Sequence, residues 1–229
     1  MAKISLIIPV LNEATNLAKL LPYLILNGKE AVGEILVADG GSTDGSQAVA
    51  ESAGAVLLPS PTRSRAAQMN LGARHAQFEI LYFVHADTWP PATFASDILQ
   101  AVASGIDMGC YRYRFDSPGL LLRFNAFFNR FRWLWCQGGD KTFFIPKETF
   151  WATGGYDERY VVMEEYDFLR RALPHYSFRV LPQEVIVSAR KYRNNGWLRV
   201  QLANMAAFSM FRWGVSPSRI RSFYKKAIL

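Results

Sequence analysis

Several common features are scarce or missing. Only two cysteines, Cys110 and Cys136, occur in 229 residues. That is too few for a disulfide framework or a tetrahedral zinc site, and it points to reduced thiols. No apolar run reaches the ~18 residues of a membrane-spanning helix. The first apolar stretch meets Pro9 and then Asn12-Glu13, unlike a secretory leader. No glycine-rich turn follows that stretch, which disfavours dinucleotide and S-adenosylmethionine sites, and no G-x-x-x-x-G-K-[ST] phosphate loop occurs. No repeat or long polar linker divides the chain. The expectation is a soluble, cytoplasmic protein with a sizeable core.

Acidic residues are also missing from one region. None of the 19 lies after Glu184, whereas nine of the 26 basic residues do, so the net charge of +7 belongs to the last fifth of the chain. Trp197, Phe208, Phe211, Trp213, Phe223 and Tyr224 are interleaved with those cations. Such a segment suits an anionic surface, either lipid headgroups or nucleic acid, or else a solvated cationic edge with its aromatics packed inward. The remainder is slightly acidic, which disfavours nucleic acid.

What is present reads as alternating strands and helices. Lys3–Val10, Glu34–Ala38, Ala55–Leu58 and Ile80–Val84 are apolar and β-rich. Thr15–Leu26, a stretch from about Asp44 to Ala53, and Arg65–Gln77 have helical spacing, and Pro90-Pro91 is expected to open a further helix. Strands without polar alternation, joined by helices, predict an α/β fold with a mostly parallel sheet covered on both faces. Beyond residue 105 the pattern predicts strands at Met108–Phe115, Thr142–Ile145, Phe178–Leu181 and Val185–Val187. It also predicts a helix at Glu164–Leu173 and a helical tail from about Trp197 to Trp213 and again after Pro217.

In an open parallel sheet, ligands bind beyond the carboxyl ends of the strands. Three predicted strands end in polar sequences there: Pro9-Val10-Leu11-Asn12-Glu13, Asp39-Gly40-Gly41-Ser42-Thr43-Asp44, and His85-Ala86-Asp87-Thr88. Each motif has an ordinary explanation as a turn or a helix cap. Together they place carboxylates on one rim, where they can hold a divalent cation or accept hydrogen bonds from a base.

These segments resemble family 2 glycosyltransferases. Ile7–Glu13 and Val37–Ser46 match the family's opening signature. Ser64–Ala73, Leu81–Thr88, Gly138-Gly139-Asp140, Gly154–Asp157 and Glu164–Arg171 follow in the family's order over roughly residues 3 to 190. The His-Ala-Asp-Thr sequence at the metal motif is similar to that of one bacterial branch. The resemblance implies a GT-A, Rossmann-like fold over residues 1–190, with a nucleotide-binding half to about 105, an acceptor half from about 106, and a basic, aromatic helical tail over 191–229. It implies an inverting, hexosyltransferase-type transfer from a nucleotide-diphosphate sugar, uridine diphosphate first among the candidates. It also implies a divalent cation, Mn²⁺ or Mg²⁺, acting as a Lewis acid, and an acceptor hydroxyl it does not identify; the basic tail would suit a lipid-linked one.

Carried over position by position, Pro9, Val10, Glu13, Asp39 and Arg65 would bind the nucleotide. Asp87 would hold the cation, with His85 either adding an imidazole or packing at the strand end. Gly139, Asp140 and Asp167 would border the sugar and acceptor, and Glu165, flanked by Glu164, would supply the base. The family's first metal-motif acid is His85 here, and its Glu-Asp pair is Glu164-Glu165. The Gln-x-x-Arg-Trp motif and membrane helices of processive synthases are missing, which implies a single addition. Two other readings stay open: a sugar-phosphate nucleotidylyltransferase, which would want a glycine-rich, arginine-bearing first loop, and a non-catalytic adaptor held on the inner face of the cell membrane.

Overall fold

The first strand, β1 (Ile4–Val10), is buried along its whole length. Its alternate side chains feed two different cores. Ile4, Leu6, Ile8 and Val10 enter one and Ile7 enters the other, as a strand covered on both faces requires. In this computed structural model, which describes residues 2–138 and 141–228, β1 lies between β2 (Val32–Asp39) and β4 (Ile80–Phe83), parallel to both. β3 (Val56–Pro59) adds to β2, also parallel. Among the described residues the sheet has eight strands in the order β3-β2-β1-β4-β7-β6-β8-β5. β7 (Phe143–Pro146) is antiparallel to both β4 and β6 (Met108–Phe115). β8 (Phe178–Val187) runs parallel to β6, and the short β5 (Thr88–Trp89) closes the edge antiparallel to β8.

The helices cover both faces. α1 (Ala14–Gly28) buries Leu17, Leu20, Leu21, Leu24 and Gly28 on one stripe, the spacing of an amphipathic helix. α2 (Ser46–Ser52) and α4 (Phe94–Ala103) share that layer, and Tyr82, Phe94 and Tyr111 form its aromatic centre. α3 (Arg65–His75), α6 (Lys147–Ala152) and α7 (Glu164–Ala172) cover the other face around Phe83, Phe150, Tyr156 and Phe168. α5 (Leu120–Phe127) follows β6. The tail forms α8 (Arg190–Asn195), α9 (Trp197–Arg212) and α10 (Pro217–Ala227). Phe208 packs on Tyr166 at 5.2 Å and Phe211 on Tyr160 at 5.8 Å, so the tail lies against the start of α7 and the loop before it.

The mostly parallel α/β sheet with a helical C-terminal segment is as the sequence predicts. Local details differ. The two predicted strands around residues 178–187 are one strand, whose pairing with β6 shifts register between Tyr111 and Arg112. Pro90 and Pro91 do not open a helix, because Thr88-Trp89 pairs with Ile186 and Val187 instead and α4 begins only at Phe94. Thr88 is therefore a strand residue, and the position before α4 is taken by Thr93. Both cysteines are buried and free. Among the described residues no helix is long and apolar enough to cross a membrane.

α3 matters most for the site because it aims its N-terminus at the strand ends. It approaches β1 closely at Gly72, where an added Cβ would overlap the side chain of Ile7. Gly72→Ala should therefore destabilise the fold by about 1–3 kcal/mol, despite alanine's better helix propensity, as read from urea unfolding. A neutral or stabilising effect would show that α3 can lift off the sheet freely.

Candidate functional site

Past the carboxyl ends of β1 and β4 lies a cleft of about 990 Å³. Pro9 and Val10 line it from β1, Glu13 from the turn into α1, Arg65 from the start of α3, His85 and Asp87 from the loop after β4, and Glu165 from α7. The tail completes it with Arg190, Lys191 and Met205, and the segment after β6 adds Phe128 and Trp135.

The loops at this rim are held by side chains that replace missing sheet partners. Asn12 adopts a left-handed conformation, with φ at 56°. Its Oδ1 accepts from the Thr43 N–H at 2.8 Å, and its own N–H donates to Ser42 Oγ at 2.8 Å. Asp44 serves two helices at once, accepting from the Ala14 N–H at 2.9 Å and the Ser46 N–H at 3.0 Å, so it caps α1 from a separate loop and α2 locally. Gln68, buried in α3, donates to the carbonyls of Val10 and Ala38 at 2.7 Å each, tying the ends of β1 and β2 together.

Asp39 is set back from the cleft wall. Its carboxylate accepts from the N–H groups of Gly41 and Ser42, from the Ser42 hydroxyl, and from Gln47 Nε2 at 2.7 Å. Burial pushes this carboxyl up, but the bonds from Ser42, Gln47 and Gly41 outweigh it and hold the group below the usual range. Asp39 is thus an ionised anchor of its own loop.

Asp167 is also away from the cleft. Its carboxylate pairs with Arg170 at 2.8 Å and Arg171 at 3.0 Å. Arg171 in turn donates to the carbonyls of Thr153 and Gly155. Both glycines of that turn have positive φ, 90° at Gly154 and 66° at Gly155, and Asn70 clasps its end through the N–H and carbonyl of Tyr156 at 3.0 and 2.8 Å. Asp167 therefore stabilises the turn that supports α7. Gly139 and Asp140 lie outside the described residues.

The two glutamates at the start of α7 differ. Glu164 is fully buried, with Arg65 Nε 3.1 Å from its Oε1. Burial pushes its carboxyl up to about 8, Arg65 pulling it down and Glu165 adding to the rise. Glu165 reaches the cleft, and its Oε1 is buried with no hydrogen-bond partner among the described residues. An uncompensated carboxylate oxygen is costly to bury.

Arg190 is the residue that sequence reasoning missed. At the start of α8, its guanidinium lies 2.6 Å from Glu13 Oε1 and 3.5 Å from Asp87 Oδ2, joining two carboxylates from different strand ends. It belongs to the basic tail, whose cations read alike in sequence; the one signal was its place just after the last predicted strand.

Among the described residues no group of three or more His, Cys, Asp or Glu side chains is arranged to hold a metal ion. Asp87 and His85 nonetheless fit a cation whose remaining ligands come from a substrate. Hard dications commonly use one or two carboxylates plus phosphate oxygens, and imidazole extends the set towards Mn²⁺.

Residues 5–155 match the model of the family described as glycosyl transferase family 2. Among solved structures, a mannosyltransferase from Pyrobaculum calidifontis in complex with GDP-Man and Mn²⁺ superposes with a TM-score of 0.72 at 17% identity, covering 98% of this chain and 68% of its own. TarS 1–349 from S. aureus gives 0.67 at 16% identity, covering 88% of this chain. Glucosyl-3-phosphoglycerate synthase from Mycobacterium tuberculosis, in complex with Mn²⁺, UDP and glucosyl-3-phosphoglycerate, gives 0.64 at 18%, covering 93% of this chain and 81% of its own. The chain spans just under two thirds, 65%, of the TarS 1–349 chain. No curated protein matches the sequence.

The buried carboxyl of Glu164 carries a pH signature. Between the ordinary 4.5 and about 8, the folded chain holds a proton that the unfolded chain releases, so stability falls as pH rises across that window. The melting temperature of the wild type should decline there relative to Glu164→Gln. Parallel curves would show that Glu164 ionises as freely as an exposed carboxylate.

Proposed function

Because the chain belongs to glycosyl transferase family 2, we propose that it is an inverting glycosyltransferase. It moves a sugar from a nucleotide-diphosphate donor to an acceptor hydroxyl, with a divalent cation, in a single addition. The observation that carries this reading is one cleft at the strand ends that gathers Glu13, Asp87, Arg65 and Arg190 with Glu165 from a separate element. The GDP-Man and Mn²⁺ of the Pyrobaculum structure, and the UDP and Mn²⁺ of the Mycobacterium structure, support the donor class. Uridine-diphosphate hexoses are the first donors to test.

Each residue then has a task. Pro9, Val10 and Glu13 border the nucleoside, and Asp39 shapes the loop beside it. Asp87, with His85 next to it, would hold the cation, which when bound supplies Lewis-acid neutralisation of the diphosphate. Arg65, Arg190 and Lys191 place positive charge where the leaving diphosphate gathers its negative charge, the kind of preorganised stabilisation that lowers a transition state. Arg190 must exchange at least part of its contact with Glu13 and Asp87 for phosphate oxygens.

Glu165 takes the proton of the acceptor hydroxyl as that oxygen bonds to the anomeric carbon. The bond from that carbon to the diphosphate oxygen breaks on the opposite side, and the nucleoside diphosphate departs with the electron pair. The Glu165 Oε1, buried without a hydrogen-bond partner among the described residues, supports this role, and buried Glu164, beside Arg65, fixes the start of α7 so that Glu165 is aimed. The lack of a glycine-rich, arginine-bearing loop after the first strand disfavours the nucleotidylyltransferase reading.

The reading is tested by thermal-shift titration of UDP-, GDP- and dTDP-sugars with and without Mn²⁺, since ligand binding to the native state raises stability by mass action. No shift with any donor would refute it. Asp87→Asn should keep the melting temperature of the free protein and lose the Mn²⁺-dependent part of the donor shift, because an amide is a poor ligand for a hard dication. A variant that melts lower but binds donor normally would make Asp87 purely structural.

Glu165→Gln should leave that shift nearly intact while transfer falls at least ~100-fold, the lower end for a lost general base. Near-normal turnover, read by release of nucleoside diphosphate, would move the base to another carboxylate.

A further inference from the structure

Six large apolar side chains from one short stretch stand in solvent. Leu120, Leu121, Phe124 and Phe127 on α5, with Trp133 and Trp135 beyond it, are each between 47% and 77% exposed. Phe131 stacks on Trp133 at 4.7 Å and Trp133 on Trp135 at 5.7 Å, so the outer rings form a continuous shelf.

The shelf is firmly mounted. Leu122 is buried beneath it, Asn125 donates to the Tyr192 hydroxyl at 2.9 Å, and Asn129 exchanges hydrogen bonds with the backbone of Tyr113. An apolar patch held rigidly in water marks an interaction surface.

Its charges identify the partner. Arg123, Arg130 and Arg132 are exposed within the patch, and no acidic residue occurs between Asp116 and Asp140. The Arg130 guanidinium lies 4.1 Å from the centroid of the Phe127 ring. Across the cleft, α9 exposes Leu198, Leu202 and Met205 beside Arg199, and Trp135 and Met205 both border the cleft. Arg212, Arg219, Arg221, Lys225 and Lys226 are exposed, with no described side-chain carboxylate within ion-pair distance.

Aromatic and leucine side chains fringed by arginines suit the headgroup boundary of an anionic membrane, where rings sink to the acyl edge and cations stay among phosphates. A second copy of the chain suits it less. A two-fold interface would set the same patch against itself and bring the arginines of both copies together.

We propose that this face docks on an anionic lipid bilayer, with the shelf and the exposed edge of α9 as its two contacts on either side of the cleft. The test is flotation of the full chain with phosphatidylcholine vesicles, either pure or containing about one third phosphatidylglycerol. Binding is expected only to the anionic vesicles, and about 0.5 M NaCl should weaken it by an order of magnitude or more.

The double variants Phe124→Ser with Trp133→Ser, and Arg123→Glu with Arg132→Glu, should each reduce binding at least tenfold. Their unfolding temperature and donor shift should stay unchanged. Wild-type binding by both variants, no binding at low salt, or equal binding to neutral vesicles would overturn the proposal. So would self-association in sedimentation that the same substitutions abolish without any vesicle binding. Because turnover is not the readout, failure here leaves the glycosyl-transfer reading standing, and the reverse also holds.

Discussion

Parallel strands exhaust their hydrogen-bonding partners at the same edge, and the polar architecture of this molecule answers that constraint. At the rim, the carbonyl of Val10 accepts from the Gly40 N–H and from Gln68, that of Ala38 accepts from Gln68, and that of Asp39 accepts from the Ser60 N–H. The loop beyond β2 is folded on the Asp39 carboxylate, and the loop beyond β1 is pinned to it through Asn12 and Asp44. Leaving such groups unpaired in a buried place would cost about 1–3 kcal/mol each. A rigid, hydrogen-bonded rim is therefore a requirement of the sheet before it serves any ligand, and the cleft lies on that rim.

The same economy sorts the carboxylates. Asp39 and Asp44 are engaged in holding backbone and Asp167 in holding two arginines, whereas Glu13, Asp87 and Glu165 face the cleft. Their residue types do not distinguish the two groups. Asp167 and Glu165 share the first turn of α7, where the helix macrodipole favours any acid. They diverge because two residues on a helix are about 200° apart in rotation, which turns one towards Arg171 and the other towards open space.

This explains how much was legible in the sequence. The strand runs Ile4–Val10 and Ile80–Phe83 are so uniformly apolar that their burial on both faces followed from pattern, and the motifs at their ends had to converge once the strands were parallel. The join between Thr88-Trp89 and Ile186-Val187 was not legible, because a two-residue strand has no period to detect. Arg190 was hidden for a different reason. Its contact with Glu13 depends on where β8 ends in space, and apart from its place just after the last predicted strand nothing local separates it from Lys191 or Arg193. The expectation that Pro90-Pro91 opens a helix failed because strand pairing one residue earlier overrode it.

The pairing of β5 with β8 has a consequence for how the molecule is made. Thr88 and Trp89, directly after Asp87, have β8 as their strand partner, and Arg190 follows that strand at once. A nascent chain emerging in order can form β1 to β4 and their helices early, from contacts close in sequence. The loop bearing Asp87 must then wait, unsupported, until nearly a hundred further residues have been synthesised. Long-range pairing of this kind is slow, and half-built domains expose sheet edges in the meantime. The cleft is thus among the last parts of the protein to acquire its shape.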